Sequence, residues 1–95
     1  MDLERKLNSV GRKAFVEYFE LFKSYSSGYI TREDAIEKLV NLGVSNEAGA
    51  AIRVGNAKLI FDAGKAKDAL SLVLKSKRIP PSITAEAMRI IIKTA

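Results

Sequence analysis

Residues 14–25 of the chain are AFVEYFELFKSY, and they carry most of its aromatic side chains. The apolar residues recur at steps of three and four, which places them on one stripe of an α-helix. Four rings on one stripe are costly to leave in water, so this stripe is expected to form core. The same spacing extends back to Leu3 and predicts a first helix from Leu3 to Tyr25. The alternative is a later start near Ser9 and Gly11, which would leave residues 1–8 as a separate arm.

A second and a third helix are predicted on either side of Gly43. Thr31, with Asp34 three residues later, is a typical N-cap, and Gly43 suits the left-handed residue that ends a helix. Ser45 is the predicted N-cap of the third helix, which runs to about Ala63. The predicted buried side chains of these two helices are Ala35, Ile36, Leu39, Val40 and Leu42, then Ala48, Ala51, Ile52, Leu59 and Ile60.

The last third of the chain predicts two more helices. The fourth runs from about Lys65 to Lys75, and Pro80-Pro81 prevents its continuation. The fifth is capped by Ser82 or Thr84 and runs to about Lys93. Their predicted buried side chains are Ala66, Ala69, Leu70, Val73 and Leu74, then Ile83, Ala87, Ile90 and Ile91, whereas Ile92 lies off the stripe and is expected to be exposed.

An internal similarity sets the predicted architecture. Asp34-Ala35-Ile36 and Asp68-Ala69-Leu70 lie 34 residues apart, a period within the range of helical repeats. The sequence therefore predicts an all-α fold over residues 1–95, a single helical domain. We expect a compact bundle of about five helices, arranged as two helical hairpins plus a closing C-terminal helix.

Composition argues against catalysis. The chain contains no cysteine, which removes thiolate nucleophiles, disulfides and zinc sites built on sulfur. It also contains no histidine, so its serines lack the usual activating base, and its scattered carboxylates do not suggest a metal site. We predict a protein that is not an enzyme and has no cofactor and no metal.

The hydrophobic segments are short. The longest apolar run is Ile90-Ile91-Ile92, far below the roughly 20 residues that span a bilayer, and the first residues show no secretory signal. The sequence predicts a soluble, cytoplasmic protein with no membrane partner.

The net charge of +5 comes from the C-terminal third of the chain. Residues 63–95 hold two acidic residues and seven cations, which are Lys65, Lys67, Lys75, Lys77, Arg78, Arg89 and Lys93. A basic end attracts acidic protein surfaces or phosphate backbones. Because no aromatic residue follows Phe61, base stacking at this end is not expected.

The leading interpretation is a binding protein that docks on a partner protein with an acidic surface. One alternative is a nucleic-acid-binding protein, either through phosphate contacts or through a helix-turn-helix-like turn at Gly43, with Ser45, Asn46 and Arg53 on the reading helix. Another is a subunit of a homo-oligomer joined through the third or fifth helix. In the third helix, Gly49, Ala50 and Gly55 would let a neighbouring chain approach closely.

Overall fold

The computed structural model describes residues 1–94, which form seven helices and no strand. The predicted all-α class is confirmed, while the expected number of about five helices is too low. The helices are α1 (Leu3–Val10), α2 (Arg12–Glu17), α3 (Phe19–Ser26), α4 (Arg32–Asn41), α5 (Glu47–Asp62), α6 (Ala66–Leu74) and α7 (Pro81–Thr94).

The difference in number arises in the first predicted helix, which is divided into α1, α2 and α3. Gly11 has a φ of 94°, which turns the chain between α1 and α2. Tyr18 departs from helical geometry with φ −111° and ψ 26°, although its N–H still donates to the carbonyl oxygen of Ala14 over 2.9 Å. The alternative prediction is correct that a helix starts just after Gly11, as α2 does. Its separate arm is wrong, because Leu7 and Val10 are fully buried and α1 packs against α5.

The caps on either side of Gly43 are partly as predicted. Thr31 and Asp34 form a capping box at the start of α4, and Gly43 has a φ of 75°. The N-cap of α5, however, is Asn46 and not Ser45, since the Asn46 side chain accepts a hydrogen bond from the Gly49 N–H over 2.8 Å. The Ser45 Oγ is instead buried and has no hydrogen-bond partner among residues 1–94.

The predicted buried sides need two corrections. In the region of α4, Val40 and Leu42 are exposed, because the helix contacts the core through one narrow stripe. In α5 the buried side chains are Ala50, Val54, Ala57 and Ile60. Four residues predicted to be buried, Ala48, Ala51, Ile52 and Leu59, are exposed or only partly buried. Both faces of α5 are apolar, so periodicity did not distinguish them.

Helices α6 and α7 agree more closely with the prediction. Their fully packed side chains are Ala69, Leu70 and Val73, then Ile83, Ala87 and Ile90. Ala66, Leu74 and Ile91 are partly buried, and Ile92 is 67% exposed, as expected. Pro81 is the first residue of α7, a position where its missing N–H removes no hydrogen bond within the helix.

Helix α5 is the centre of the molecule. Helices α1, α3 and α4 pack against it, while α6 and α7 pair with each other and contact α2. The C-terminal helix is therefore one arm of the α6–α7 hairpin and not a separate closing helix.

The aromatic stripe forms core as predicted. The centre of the Phe15 ring lies 5.6 Å from that of Phe19, 6.3 Å from that of Phe22 and 5.8 Å from that of Phe61. Across residues 1–94, no helix has the length and apolarity to cross a membrane.

Candidate binding groove

The structure separates the predicted basic residues into two groups. Helix α6 has nine residues and is about 13 Å long. Lys65 and Lys67 lie at its start, whereas Lys75, Lys77 and Arg78 lie at its end and in the following loop. The short connection to α7 makes the two helices antiparallel.

The second half of α7 belongs to the first of these groups. Thr94 lines a small pocket together with Lys67, and Arg89 and Lys93 line the neighbouring groove. Folding of the last helix back along α6 therefore brings Arg89 and Lys93 towards Lys67. It does not bring them to the cations at the end of α6.

Helix α7 forms one wall of this groove, and α2 and α3 form the other. We call it the α7 groove; its volume is about 580 Å³, and residues 38 and 42 of the α4 region close one end. Its apolar lining comes from Val16, Phe19, Leu21, Leu42 and Ile90. Its charged lining comes from Glu17, Glu20, Lys23, Lys38, Glu86, Arg89 and Lys93.

Ion pairs neutralise part of the charge in the α7 groove. Glu86 accepts from Arg89 Nε over 2.9 Å, and Glu17 lies 3.5 Å from Lys13 Nζ. Lys23, Lys38 and Lys93, in contrast, have no carboxylate within ion-pair distance among residues 1–94. Among residues 1–94, the groove lining therefore combines apolar side chains with three lysines that lack an ion-pair partner, against one such carboxylate, Glu20.

Lys23 and Lys38 were not predicted as site residues. Both lysines lie in thirds of the chain where acidic residues nearly balance the cations, so the net charge of each third did not distinguish them. Their importance comes from their position beside α7, which a local charge count does not contain. Lys65 was predicted but pairs with Asp68 at 3.8 Å and does not line the α7 groove.

Tyr18 contributes a neutral polar group to the wall of the α7 groove. Burial raises the pKa of the Tyr18 phenol above its ordinary value of 10.0, and the adjacent Glu17 carboxylate raises it further. Because a hydrogen bond to Glu17 is among the causes of this shift, the single hydroxyl proton of Tyr18 is engaged by the neighbouring carboxylate.

The residues predicted to read DNA also have roles within the fold. Asn46 caps α5, and the Ser45 Oγ is buried beneath the same turn. The Arg53 guanidinium donates to the carbonyl oxygen of Val10, at the end of α1. A reading helix needs side chains that point outwards to base edges. Asn46 is exposed and Arg53 is partly buried, so DNA reading by this helix stays a prediction.

The described residues show no grouping suited to metal binding, since no three carboxylates in residues 1–94 come together as potential ligands. Comparison with known proteins adds no assignment: no protein-family model, no curated protein and no solved structure matches the chain.

Proposed function

We propose that this chain is a non-enzymatic protein-binding domain whose α7 groove docks an acidic segment of a partner protein. The observation that carries the proposal is the combination of an apolar floor with Lys23, Lys38 and Lys93, which lack ion-pair partners among the described residues. Protein interfaces generally have an apolar centre within a polar rim.

The two parts of the α7 groove have different roles in this proposal. Apolar side chains of the partner lie on Leu21 and Leu42, the apolar lining residues that remain accessible, and this contact supplies the apolar part of the affinity. Carboxylates of the partner lie near Lys23, Lys38 and Lys93, which fixes orientation and accelerates association. A segment with acidic and apolar residues on the same face fits this arrangement.

A protein ligand is favoured over a nucleic acid because the rim carries both signs of charge. Glu20 lines the α7 groove and has no ion-pair partner among residues 1–94, so it would repel a phosphate backbone. A protein segment can place a cation there. The other basic group, Lys75, Lys77 and Arg78, lies about one helix length away and does not line the α7 groove.

The experiment is a binding titration with labelled peptides that combine Asp and Glu with Leu and Phe. Peptides in which Asn and Gln replace the acids serve as the ligand control. The test variant is the double substitution Lys23→Glu with Lys93→Glu, and the matched control is Lys75→Glu with Lys77→Glu, which makes the same charge change at the other end of α6.

We expect the test variant to lose at least about tenfold in affinity, equivalent to 1.4 kcal/mol, and the control to stay near the wild type. Equal loss in both variants, or equal binding of the neutral peptides, would contradict docking in the α7 groove. Duplex DNA forms a further arm of the experiment. Retention of DNA whose log affinity falls with log salt concentration at a slope of about −4 would favour phosphate binding instead.

A further inference from the structure

Helix α5 is apolar on two opposite faces, and the chain covers one of them. The outer face carries, on successive turns, Ala48, Ile52, Gly55 and Leu59, which we call the α5 stripe. Ile52 is 57% exposed and Leu59 is 47% exposed. A Cβ placed on Gly55 would meet nothing within 4 Å among the described residues. An apolar helix stripe normally packs against another surface, so the α5 stripe is a candidate contact surface.

We propose that a second copy of this chain covers the α5 stripe in a two-fold, antiparallel dimer. The spacing of the stripe, four then three then four residues, is the same in both directions. Rotation about a two-fold axis near residues 53 and 54 therefore sets Ile52 of one copy against Gly55 of the other. The same rotation sets Leu59 against Ala48, so that each large side chain meets a small residue, as in knobs-into-holes packing.

Charge at the edge of the stripe supports the antiparallel direction. Glu47 and Lys58 are eleven residues apart, close to three helical turns, and so lie along the same edge of α5. In the antiparallel dimer, Glu47 lies about two residues, or roughly 3 Å along the axis, from the level of Lys58 in the second copy. Glu47 there adds a second carboxylate near an ammonium group that already pairs with Asp62 over 2.8 Å. A parallel pair would instead place Ile52 against Ile52 and Gly55 against Gly55, leaving a void at the glycines.

The length of α5 limits the expected affinity of the dimer. The helix has 16 residues and is about 24 Å long, whereas stable protein interfaces bury about 1,200–2,000 Å². A contact confined to one helix pair lies at the low end of this range, so the dimer is reversible and micromolar or weaker. The α5 stripe shares no residue with the α7 groove, so the dimer and the proposed docking function are independent.

Sedimentation equilibrium of the full chain from micromolar to millimolar concentration tests the dimer. We expect the average mass to rise from the monomer value of 10.4 kDa towards twice that value. Ile52→Glu should weaken dimerisation at least about tenfold. Ile92→Glu is the matched control, because Ile92 is also an exposed isoleucine but lies on α7, and it should behave as the wild type.

The Gly55→Leu variant distinguishes a loss of the dimer interface from a loss of folding. Leucine favours helix over glycine, and the space around Gly55 is open within the monomer, so the variant should fold at least as well while its side chain occupies the site of Ile52 from the second copy. A monomeric wild type at every concentration would overturn the proposal, as would a dimer that tolerates Ile52→Glu or Gly55→Leu.

Disulfide cross-linking tests the direction of pairing, since the chain has no cysteine of its own. A mixture of the Ile52→Cys and Gly55→Cys variants should form cross-linked heterodimers several times faster than either variant cross-links alone. Faster cross-linking of each variant with itself would indicate a parallel pair and overturn the antiparallel dimer.

Discussion

The guanidinium of Arg53, on α5, donates a hydrogen bond to the backbone carbonyl oxygen of Val10, the last residue of α1. Carbonyl groups in the last turn of a helix lack partners within that helix, so this contact satisfies an otherwise open acceptor. Gly11 makes the contact possible, because a Cβ at that position would lie 2.6 Å from Nη1 of Arg53. The pair of Arg53 and Val10 ties the N-terminal helix to the central one across 43 residues of sequence.

Gly11→Ala should destabilise the fold by about 2–4 kcal/mol. The backbone of Gly11, with φ 94° and ψ 123°, costs an alanine on the order of 1–3 kcal/mol, and displacement of the Arg53 guanidinium loses part of a hydrogen bond worth about 1.5–3 kcal/mol. Urea denaturation followed by circular dichroism measures the change. The matched control is Gly55→Ala, which should stabilise the monomer by about 0.5–1 kcal/mol, because Gly55 lies in a helix interior with open space around it. Similar shifts in the two variants would contradict the role of Gly11.

Arg53→Met should cost about 1.5–3 kcal/mol, since it leaves the Val10 carbonyl oxygen without its charged donor. In the double variant with Gly11→Ala, the two losses should be less than additive by at least about 0.5 kcal/mol. A double-mutant cycle of unfolding free energies measures this coupling. Strict additivity would mean that the glycine and the arginine act separately.

Phe15→Ala should cost about 3–5 kcal/mol, because its fully buried ring contacts those of Phe19, Phe22 and Phe61. Domains of this kind have total stabilities of about 5–15 kcal/mol, so the variant should be close to unfolding at physiological temperature. Tyr29→Ala provides the control, since Tyr29 is 85% exposed and should change stability by less than about 0.5 kcal/mol. Thermal melts of both variants test the difference, and a Phe15→Ala melt like that of the wild type would be inconsistent with this core.

The Asp62 carboxylate should make stability fall in acid. Its hydrogen bonds from Lys58 (2.8 Å) and then Ser26 (2.8 Å) lower the pKa of Asp62 below its ordinary value of 3.8. A lowered folded-state pKa means that the contribution is complete above pH 3.8 and is lost as pH falls through the folded-state value. Conversely, hydrogen bonding to Asp62 raises the pKa of Lys58 above 10.5, so its contribution is lost only as pH rises through that higher value.

Urea midpoints between about pH 5 and pH 2 measure the acid effect. In Asp62→Asn, the urea midpoint should lose the part of its pH dependence that comes from the Asp62 carboxylate. The control is Asp68→Asn, at a carboxylate on α6 that pairs with Lys65 at 3.8 Å. Identical profiles for the wild type and Asp62→Asn would show that the ion pair between α5 residues 58 and 62 does not act on stability.

The sequence predicted the features that depend on local chemistry. The capping box of Thr31 and Asp34 and the left-handed Gly43 follow from neighbouring side chains and from backbone freedom, and both are confirmed. The break at Tyr18 had no such signal, because tyrosine does not end helices and the hydrogen bonds on either side continue. The buried face of α5 could not be chosen either, since Ile52 on one face and Val54 on the other are equally suited to a core.

The candidate groove was predictable only in part, for a related reason. Arg89 and Lys93 stood out because the acids near them in sequence are few. Lys23 and Lys38 are close to acids in sequence, and their link to Lys93 depends on the tertiary fold, which places all three along one groove. Conversely, Arg53 was predicted to read DNA because it is a cation on a capped helix. In the structure, α1 packs against α5, and the Arg53 guanidinium donates to the carbonyl oxygen of Val10.

Amide chemical-shift mapping with an acidic and apolar peptide tests the docking proposal most directly. Added to the isotopically labelled full chain, the peptide should shift amides of residues 19–23, 38–42 and 86–94, and added salt should weaken the effect. Shifts centred on residues 75–78, or a spectrum that stays unchanged at millimolar peptide, would contradict a binding site between α3 and α7.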